Sequence, residues 1–432
     1  MIKTITHVGK VFFAKILYSC VLFLFLISCG ESPEEKAYRE DSIKKMLIKH
    51  KRDSVIKDSL KAIRIQDSTY QHLYDSLRNT VNSPLESLDS SVILDPDQFP
   101  KPSGRVVNIM IIGIDSRLGE KTARADANHL VRFFLDSGAI EIISVPRSTY
   151  ADAKFTDPNG QLVGNVRLTL GRERYLKEIK RITEVSPIDY YVEFGFSQAI
   201  GIIELMGYSN NASNALRVIR SRKAFAAGDK QRSFDQGQFI KQAILRSFDF
   251  TNTLIGGIGL RAALALSTTN LSYEGAQYLI NEVRNKGFNS TSKGRIWNRM
   301  MPNVHARLKV FNFDSANVKI IEEKIDKKVQ NIVGKNNSKT PQKYVDSVLL
   351  VIHTAEADTG TSPKKVIATL ERPFQQKSWI QIKDKTIRYE LRNRLCGMLI
   401  KAYTQIGRTK DAHEIVSFIE LENKLRKMKR EM

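Results

Sequence analysis

The chain has 432 residues, 42% hydrophobic and 26% charged, a composition that supports buried cores and excludes a wholly disordered polymer. Lysine and arginine number 68 against 46 acidic residues, a formal charge of +22, which calls for an anionic partner: nucleic acid, anionic lipid or a phosphorylated substrate. Three cysteines (Cys20, Cys29 and Cys396) with no CxxC pair exclude a disulfide framework and a metal site built on paired thiolates.

Lys3, Lys10 and Lys15 precede an uncharged run from Ile16 to Ser28. That is the layout of an export signal, and the run is short of the roughly 20 apolar residues a membrane span needs. It closes on Leu26-Ile27-Ser28-Cys29-Gly30, which resembles a bacterial lipobox. The resemblance implies that residues 1–28 are a lipoprotein signal peptide and that Cys29 is lipidated. The chain would then be a membrane-anchored lipoprotein on the extracytoplasmic side, in the cell envelope or at the periplasmic face. An uncleaved anchor reaching back to Val11 would put the chain on the same side. Export removes only three lysines, so the basic character survives it. Membrane lipid, lipid-linked phosphates and anionic wall polymers then displace nucleic acid as the expected partners.

Residues 29–104 read as a polar helical spacer, rich in Asp-Ser pairs, with Ile43, Met46 and Leu47 at helical spacing. Asp95-Pro96 and Pro100-Lys101-Pro102 end it. Residues 105–313 read as a mixed α/β domain. Strands are predicted at 105–114, 129–135, 139–145, 188–194 and 308–313, with Asp136-Ser137-Gly138 as a hairpin turn. Helices are predicted at 197–206, capped by Ser197, and at 213–221 and 229–248. Residues 314–340 form a charged helix and linker. Residues 341–432 read as helices, in which Ala402-Tyr403, Gly407 and Ala412 have the spacing of one tetratricopeptide unit; a plain helical hairpin accounts for them equally. The fold class is therefore α/β, with a helical spacer before it and a small helical C-terminal region after it.

The order of the strands predicts a site. Asp115 ends the first strand, Asp126 stands just before the second, and Pro146-Arg147 follows the third. One end of a hairpin brings the start of one strand beside the end of its partner. Asp115, Arg117, Arg124, Asp126 and Arg147 should therefore meet at one rim, where α/β proteins commonly bind ligands. A second cluster runs over 217–236: Arg217, Arg220, Arg222, Asp229, Arg232 and Gln236. Asp229, Arg232 and Gln236 share one helical face by spacing, and Ile240, Ala243 and Ile244 are assigned to the opposite, core side. Arginines match phosphate oxygens with bidentate bonds. Paired aspartates beside a diphosphate suit Mg2+, which completes its shell with phosphate oxygens and water. A surface salt-bridge network would use the same residues.

The segments NIMIIGIDSR (108–117), RAD (124–126), SVPR (144–147) and IRSRKAFAAGDKQRSFDQGQFIKQ (219–242) are similar to the LytR-CpsA-Psr family of extracytoplasmic cell-wall glycopolymer transferases. The resemblance covers roughly 105–313 and implies an α-β-α sandwich with a mixed central sheet. It implies that Asp115 and Asp126 hold Mg2+, and that Arg124, Arg147, Arg220, Arg222 and Arg232 grip the pyrophosphate of a polyprenyl-pyrophosphate-linked glycan. Asp229 and Gln236 would orient the arginines, with Asp229 helping to activate the acceptor hydroxyl, and an apolar channel would hold the prenyl chain. The acceptor would be peptidoglycan or another wall polymer. Ser148 stands where the family usually has an acidic residue, Asp235 where an arginine commonly precedes the glutamine, and Asn165 and Arg167 near where it often shows Lys-Ile-Asn. A polyprenyl-pyrophosphate hydrolase and a non-catalytic lipid- or glycan-binding scaffold, with a protein partner at the helical C-terminus, are the rival readings.

The run Gly113–Thr122 has the wrong spacing for a P-loop, and Gly195-Phe196-Ser197-Gln198-Ala199 lacks the last glycine of a nucleophile elbow. His129 is read as structural, Cys396 as a packed thiol, and Trp297 and Trp379 as core or interface residues.

Overall fold

The structure, a computed structural model, describes residues 90–94, 99–206, 212–220, 228–304, 306–313, 323 and 340–431. The signal segment, Cys29, the spacer up to 89, Arg222 and nearly all of 314–339 lie outside the described residues. In chain order the elements are β1 (Ser90–Leu94), β2 (Val106–Asp115), β3 (Arg124–Phe134), β4 (Ala139–Ser144), α1 (Val163–Thr183), β5 (Tyr190–Phe194), α2 (Phe196–Leu205), α3 (Ala212–Arg220) and α4 (Gly228–Ser247). They continue with α5 (Leu254–Ala265), β6 (Thr268–Thr269), α6 (Tyr273–Asn285), β7 (Ile296–Met300), β8 (Ala306–Val310), α7 (Thr340–Ala357), α8 (Pro363–Gln375), α9 (Lys385–Gln405) and α10 (Thr409–Glu431).

Six strands form a mixed sheet in the order β6-β5-β2-β3-β4-β7. The β2-β3-β4 meander is antiparallel, while β5 and β7 run parallel to their neighbours β2 and β4. Central strands buried on both faces need apolar residues at alternate positions of each parity, and β2 supplies them. Met110 and Ile112 face α1, where Val163, Val166, Tyr175 and Ile179 cover them. Ile109 faces the other layer, where Leu245, Leu279 and Val283 of α4 and α6 pack. The α-β-α sandwich expected from the sequence is the observed architecture.

Several elements differ from the sequence reading, and α5, β6, α6 and β7 also fall where no element was predicted. β1 lies inside the expected helical spacer and pairs antiparallel with β8, with Leu94 buried. α1 falls where no element was predicted; it is broken at Gly171, whose φ of 77° is left-handed, so no single 3.6-residue pattern runs through it. Ser197 is not the cap of α2: Gly195 is the N-cap, its N–H donating to Gln198 Oε1 at 2.6 Å, and Ser197 Oγ instead accepts from Gln381.

Helices α7–α10 share one hydrophobic cluster with α2 and α3: Ala199, Ile200, Ile203, Ala215 and Ile219 pack with Val348, Ile352, Leu370, Trp379, Leu395 and Leu399. The C-terminal region belongs to the same compact unit, Ser83–Met432, as the sheet. Trp379 and Cys396 are buried there, and burial pushes the Cys396 thiol up to about 12, the behaviour of a packing residue.

Gly237 sets how closely α4 approaches the sheet. A Cβ there would collide with Ser144 Oγ and the Asn298 amide. Gly237→Ala is expected to destabilise the protein by roughly 1–3 kcal/mol, the cost of overpacking, read as a fall in thermal midpoint.

Candidate active site

The site grows from an irregularity in β3. Gly113 pairs with Ala127 but Ile114 pairs with Ala125, so Asp126 is an extra residue, a β-bulge. In a regular strand, neighbours point to opposite faces. The bulge lets Asp126 and Ala127 both face the α2–α5 side, while Ala125 packs under α1. Bulges commonly re-aim a side chain next to a site. Asp126 was expected just ahead of the strand; it lies inside it, because the strand begins at Arg124.

Around Asp126 the charged side chains close into a ring. Arg147 Nη1 donates to Asp126 Oδ1 at 2.6 Å, and its Nε lies 3.4 Å from Asp229 Oδ1. Arg232 Nη2 lies 3.1 Å from Asp229 and donates to the Asp126 carbonyl at 3.2 Å. Arg220 Nη2 reaches Asp115 Oδ1 at 2.9 Å and Asp126 Oδ2 at 3.9 Å, with its guanidinium carbon 4.9 Å from the Phe196 ring centroid. The two sequence clusters, around 115–147 and 220–236, therefore meet. Arg232 is 5% exposed, and its Nε is a buried donor with no hydrogen-bond partner among the described residues. Burial pulls Arg232 below its ordinary pKa, against the opposing pull of Asp229. An unmade buried hydrogen bond costs about 1–3 kcal/mol, so the position is primed for an acceptor.

The other expected residues sort as follows. Arg124 faces Asp115 across the β2–β3 pair and is exposed. Arg117 is exposed on the loop after β2. Arg222 lies outside the described residues. Asp229, expected to help activate the acceptor, has its carboxylate engaged by Arg147, Arg232 and the N–H and Oγ of Ser148, which makes it an orienting group. Ser148, a departure from the family motif, holds Asp229 through its N–H and Oγ. Asp235 accepts from Gln231 at 2.7 Å and is buried away from the cavity lining. Arg167 is taken up by a two-bond fork to Glu193 at 2.7 and 2.8 Å, and Asn165 donates to the Gly160 carbonyl.

Beneath the ring lies a cavity of about 420 Å³, within the roughly 300–1,000 Å³ of small-molecule sites. Asp126, His129, Arg220, Arg232, Gln236 and Ser247 contribute the polar part of its wall. Apolar residues from the sheet and from α2–α5, among them Ile111, Phe194, Ile203, Ile219, Phe239 and Leu260, line the rest. Ile240, Ala243 and Ile244 were expected on the core side of α4, opposite Gln236. They line the same cavity, because Arg232, Gln236, Ile240 and Ile244 are four residues apart and one helical face carries them all. That face is charged at its N-terminal half and apolar at its C-terminal half.

Gln236 does not touch the arginines; its amide meets His129 Nε2 at 3.3 Å. A proton order can be assigned along this chain. Asn298 donates to the Phe234 carbonyl, so its oxygen accepts the Ser144 hydroxyl at 2.7 Å. Ser144 then accepts from His129 Nδ1 at 3.0 Å. Burial lowers the His129 pKa to about 4, so the ring is neutral, and its Nε2 lies 3.3 Å from Gln236 Oε1. His129 is thus the structural histidine the sequence implied, and it fixes the orientation of a cavity residue.

Asp115 and Asp126 fit one divalent ion in part: two carboxylates converge on the same guanidinium, and Mg2+ takes one or two. Among the described residues no group of three or more His, Cys, Asp or Glu is placed to hold a metal, so the remaining oxygens would have to come from phosphate and water. No helix of the described residues is long and apolar enough to cross a membrane.

Fold and site together define an α-β-α protein with an arginine-aspartate ring at the mouth of an apolar cavity. The model of the LytR_cpsA_psr family matches residues 77–209. The polyisoprenyl-teichoic acid–peptidoglycan teichoic acid transferase TagU of Halalkalibacterium halodurans is 25% identical over 230 residues, covering 47% of this chain and 74% of the relative. B. subtilis TagV is 18% identical, covering 52% of this chain and 98% of that one, with a TM-score of 0.38. TagT bound to LI-WTA is 18% identical, covering 56% and 93%, with a TM-score of 0.34. The chain is thus similar to the LytR_cpsA_psr family over residues 77–209, and to a transferase over 230 residues.

The neutral buried His129 makes stability depend on pH. Its folded pKa, about 4, lies below the unfolded value of about 6.5, so the unfolded chain binds the extra proton. The stabilisation is complete above pH 6.5 and is lost as pH falls towards 4, by roughly 3 kcal/mol at 1.36 kcal/mol per unit. Denaturant titrations from pH 7.5 to 4 should show this slope, reduced in His129→Gln.

Proposed function

We propose that the chain is an extracytoplasmic phosphotransferase that moves a glycan-1-phosphate from a polyprenyl-pyrophosphate carrier to a hydroxyl of peptidoglycan or another wall polymer. The observation that carries this reading is the two-part cavity: one wall runs from Arg232 and Gln236 to Ile240 and Ile244, matching a ligand with a charged head and a hydrocarbon tail. The curated relative's printed name describes a transferase of that class.

In the proposed reaction the acceptor oxygen attacks the glycan-side phosphorus, the bridging P–O bond breaks, and polyprenyl phosphate leaves. Arg147, Arg220 and Arg232 bind the diphosphate oxygens and stabilise the charge that builds on them. Arg124 adds positive charge at the rim. Asp229 and Ser148 keep Arg147 and Arg232 aimed. Asp115 and Asp126 would hold Mg2+, which supplies charge neutralisation when bound. The apolar walls seat the prenyl chain and exclude water, favouring transfer over hydrolysis. Lipidation of Cys29 would keep the enzyme at the membrane that carries its donor.

Purified protein should transfer label from a lipid-linked glycan to wall fragments. Asp115→Ala or Arg232→Ala should reduce the rate at least about 100-fold, the scale of removing one transition-state donor. EDTA should lower the rate and Mg2+ restore it. Unchanged transfer in both variants would overturn the reading, and equal release of polyprenyl phosphate without acceptor would make the protein a hydrolase.

A further inference from the structure

The loop leaving Asp115 is gripped from the far end of the chain. Residues 116–123 join Asp115 to Arg124, and the Glu120 N–H closes a turn on the Arg117 carbonyl at 3.1 Å. Gln376, at the end of α8, is 7% exposed. Its Oε1 accepts from Gly119 N at 2.9 Å, and its Nε2 donates to the carbonyls of Arg117 at 2.7 Å and Glu120 at 3.4 Å. Arg372 Nε donates to the same Glu120 carbonyl at 2.7 Å. Leu118, at the centre of the turn, packs into the cluster shared by α2, α3 and α7–α10.

The same helices brace the cavity wall. Gln198 donates to the Gln375 carbonyl at 3.1 Å, Gln381 to Ser197 Oγ at 2.7 Å, and Arg388 to both oxygens of Glu204 at 3.0 Å. These partners lie on α2, whose Phe196, Ala199, Ile202 and Ile203 line the cavity.

All three Gln376 bonds go to backbone groups of an exposed turn. Water would satisfy those groups nearly as well, so the net stabilisation per bond is small. What the buried amide adds is one fixed shape for the turn. We propose that α7–α10 form a built-in clamp on the mouth of the cavity, and that Gln376 is its positioning residue, setting the approach of Asp115 and Arg117 to the ligand. The ligand's identity rests on the proposed function; the clamp does not.

The test compares the full chain with Gln376→Met, which keeps the volume and removes the bonds, and Gln376→Glu, which keeps the acceptor for Gly119 but cannot donate. Asp384→Ala is the control: it removes the N-cap of α9, which accepts from Thr386 N and Ile387 N, without touching the turn. Amide hydrogen exchange and binding of geranylgeranyl pyrophosphate with Mg2+ are measured. Both Gln376 variants should speed exchange at Gly119 and Glu120 by about tenfold or more, with β3 and β4 unchanged, and weaken probe binding about tenfold. Asp384→Ala should leave turn exchange and probe affinity at their original values. Unchanged turn exchange, or faster exchange with unchanged probe affinity, overturns the clamp. Exchange decides the clamp whether or not the probe binds, and a native chain that fails to bind the probe counts against the proposed function alone.

Discussion

Arginines placed at the edge of an apolar cavity lose hydration that only opposite charge or hydrogen bonding can replace. The ring meets this constraint by alternating acids and bases: Asp115, Arg220, Asp126, Arg147, Asp229 and Arg232 each touch a partner of opposite sign. The arrangement depends on Asp126 facing the helices, and that depends on the extra residue in β3. Without the bulge the carboxylate would turn towards α1 and Arg147 would lose its shortest ion pair. The helical side contributes as much as the sheet: Arg220 and the Asp229–Arg232 pair arrive on α3 and α4, beyond the segment the family model matches.

Much of this was legible in the sequence because it follows from local rules. The strands of the meander alternate, Asp136-Ser137-Gly138 announces the hairpin, and rim geometry then brings Asp115, Asp126 and Arg147 together. The regularly spaced pattern of α4 exposes Asp229, Arg232 and Gln236 as one face. What escaped was set by contacts between distant segments. The bulge has no local signal, since Ala125, Asp126 and Ala127 would suit an unbroken strand. α1 escaped because Gly171 splits its pattern, and β1 because its partner β8 lies more than 200 residues away. Ile240 and Ile244 do pack against the core as expected, but they also line the cavity on the same side as Gln236, which the sequence alone does not reveal. Ser148 stands where an acidic residue is usual, and nothing local in the sequence signals its bonds to Asp229.

The helical C-terminus shows how sequence separation and structural separation part company. A polar stretch precedes α7, and the composition changes there, as it would at a domain boundary. Yet the buried cluster continues without interruption from α2 and α3 into α8 and α9. The α7–α10 helices thus form a second layer packed on the α2–α3 pair. Such a layer makes the cavity wall part of a larger cooperative unit, so its order does not depend on α2 alone.

The closed circuit of charges also has a consequence for discrimination among anions. In the circuit Arg147, Arg220 and Arg232 each already face a carboxylate on the same molecule. A visiting anion must compete with that internal neutralisation before it gains anything. A singly charged ion offers less than the aspartates it would dislodge, whereas two linked phosphoryl groups can engage several arginines at once. The circuit therefore acts as a threshold on ligand charge density. On the proposed reading it retains the diphosphate carrier and lets the spent monophosphate go, as the aspartates reclaim their arginines.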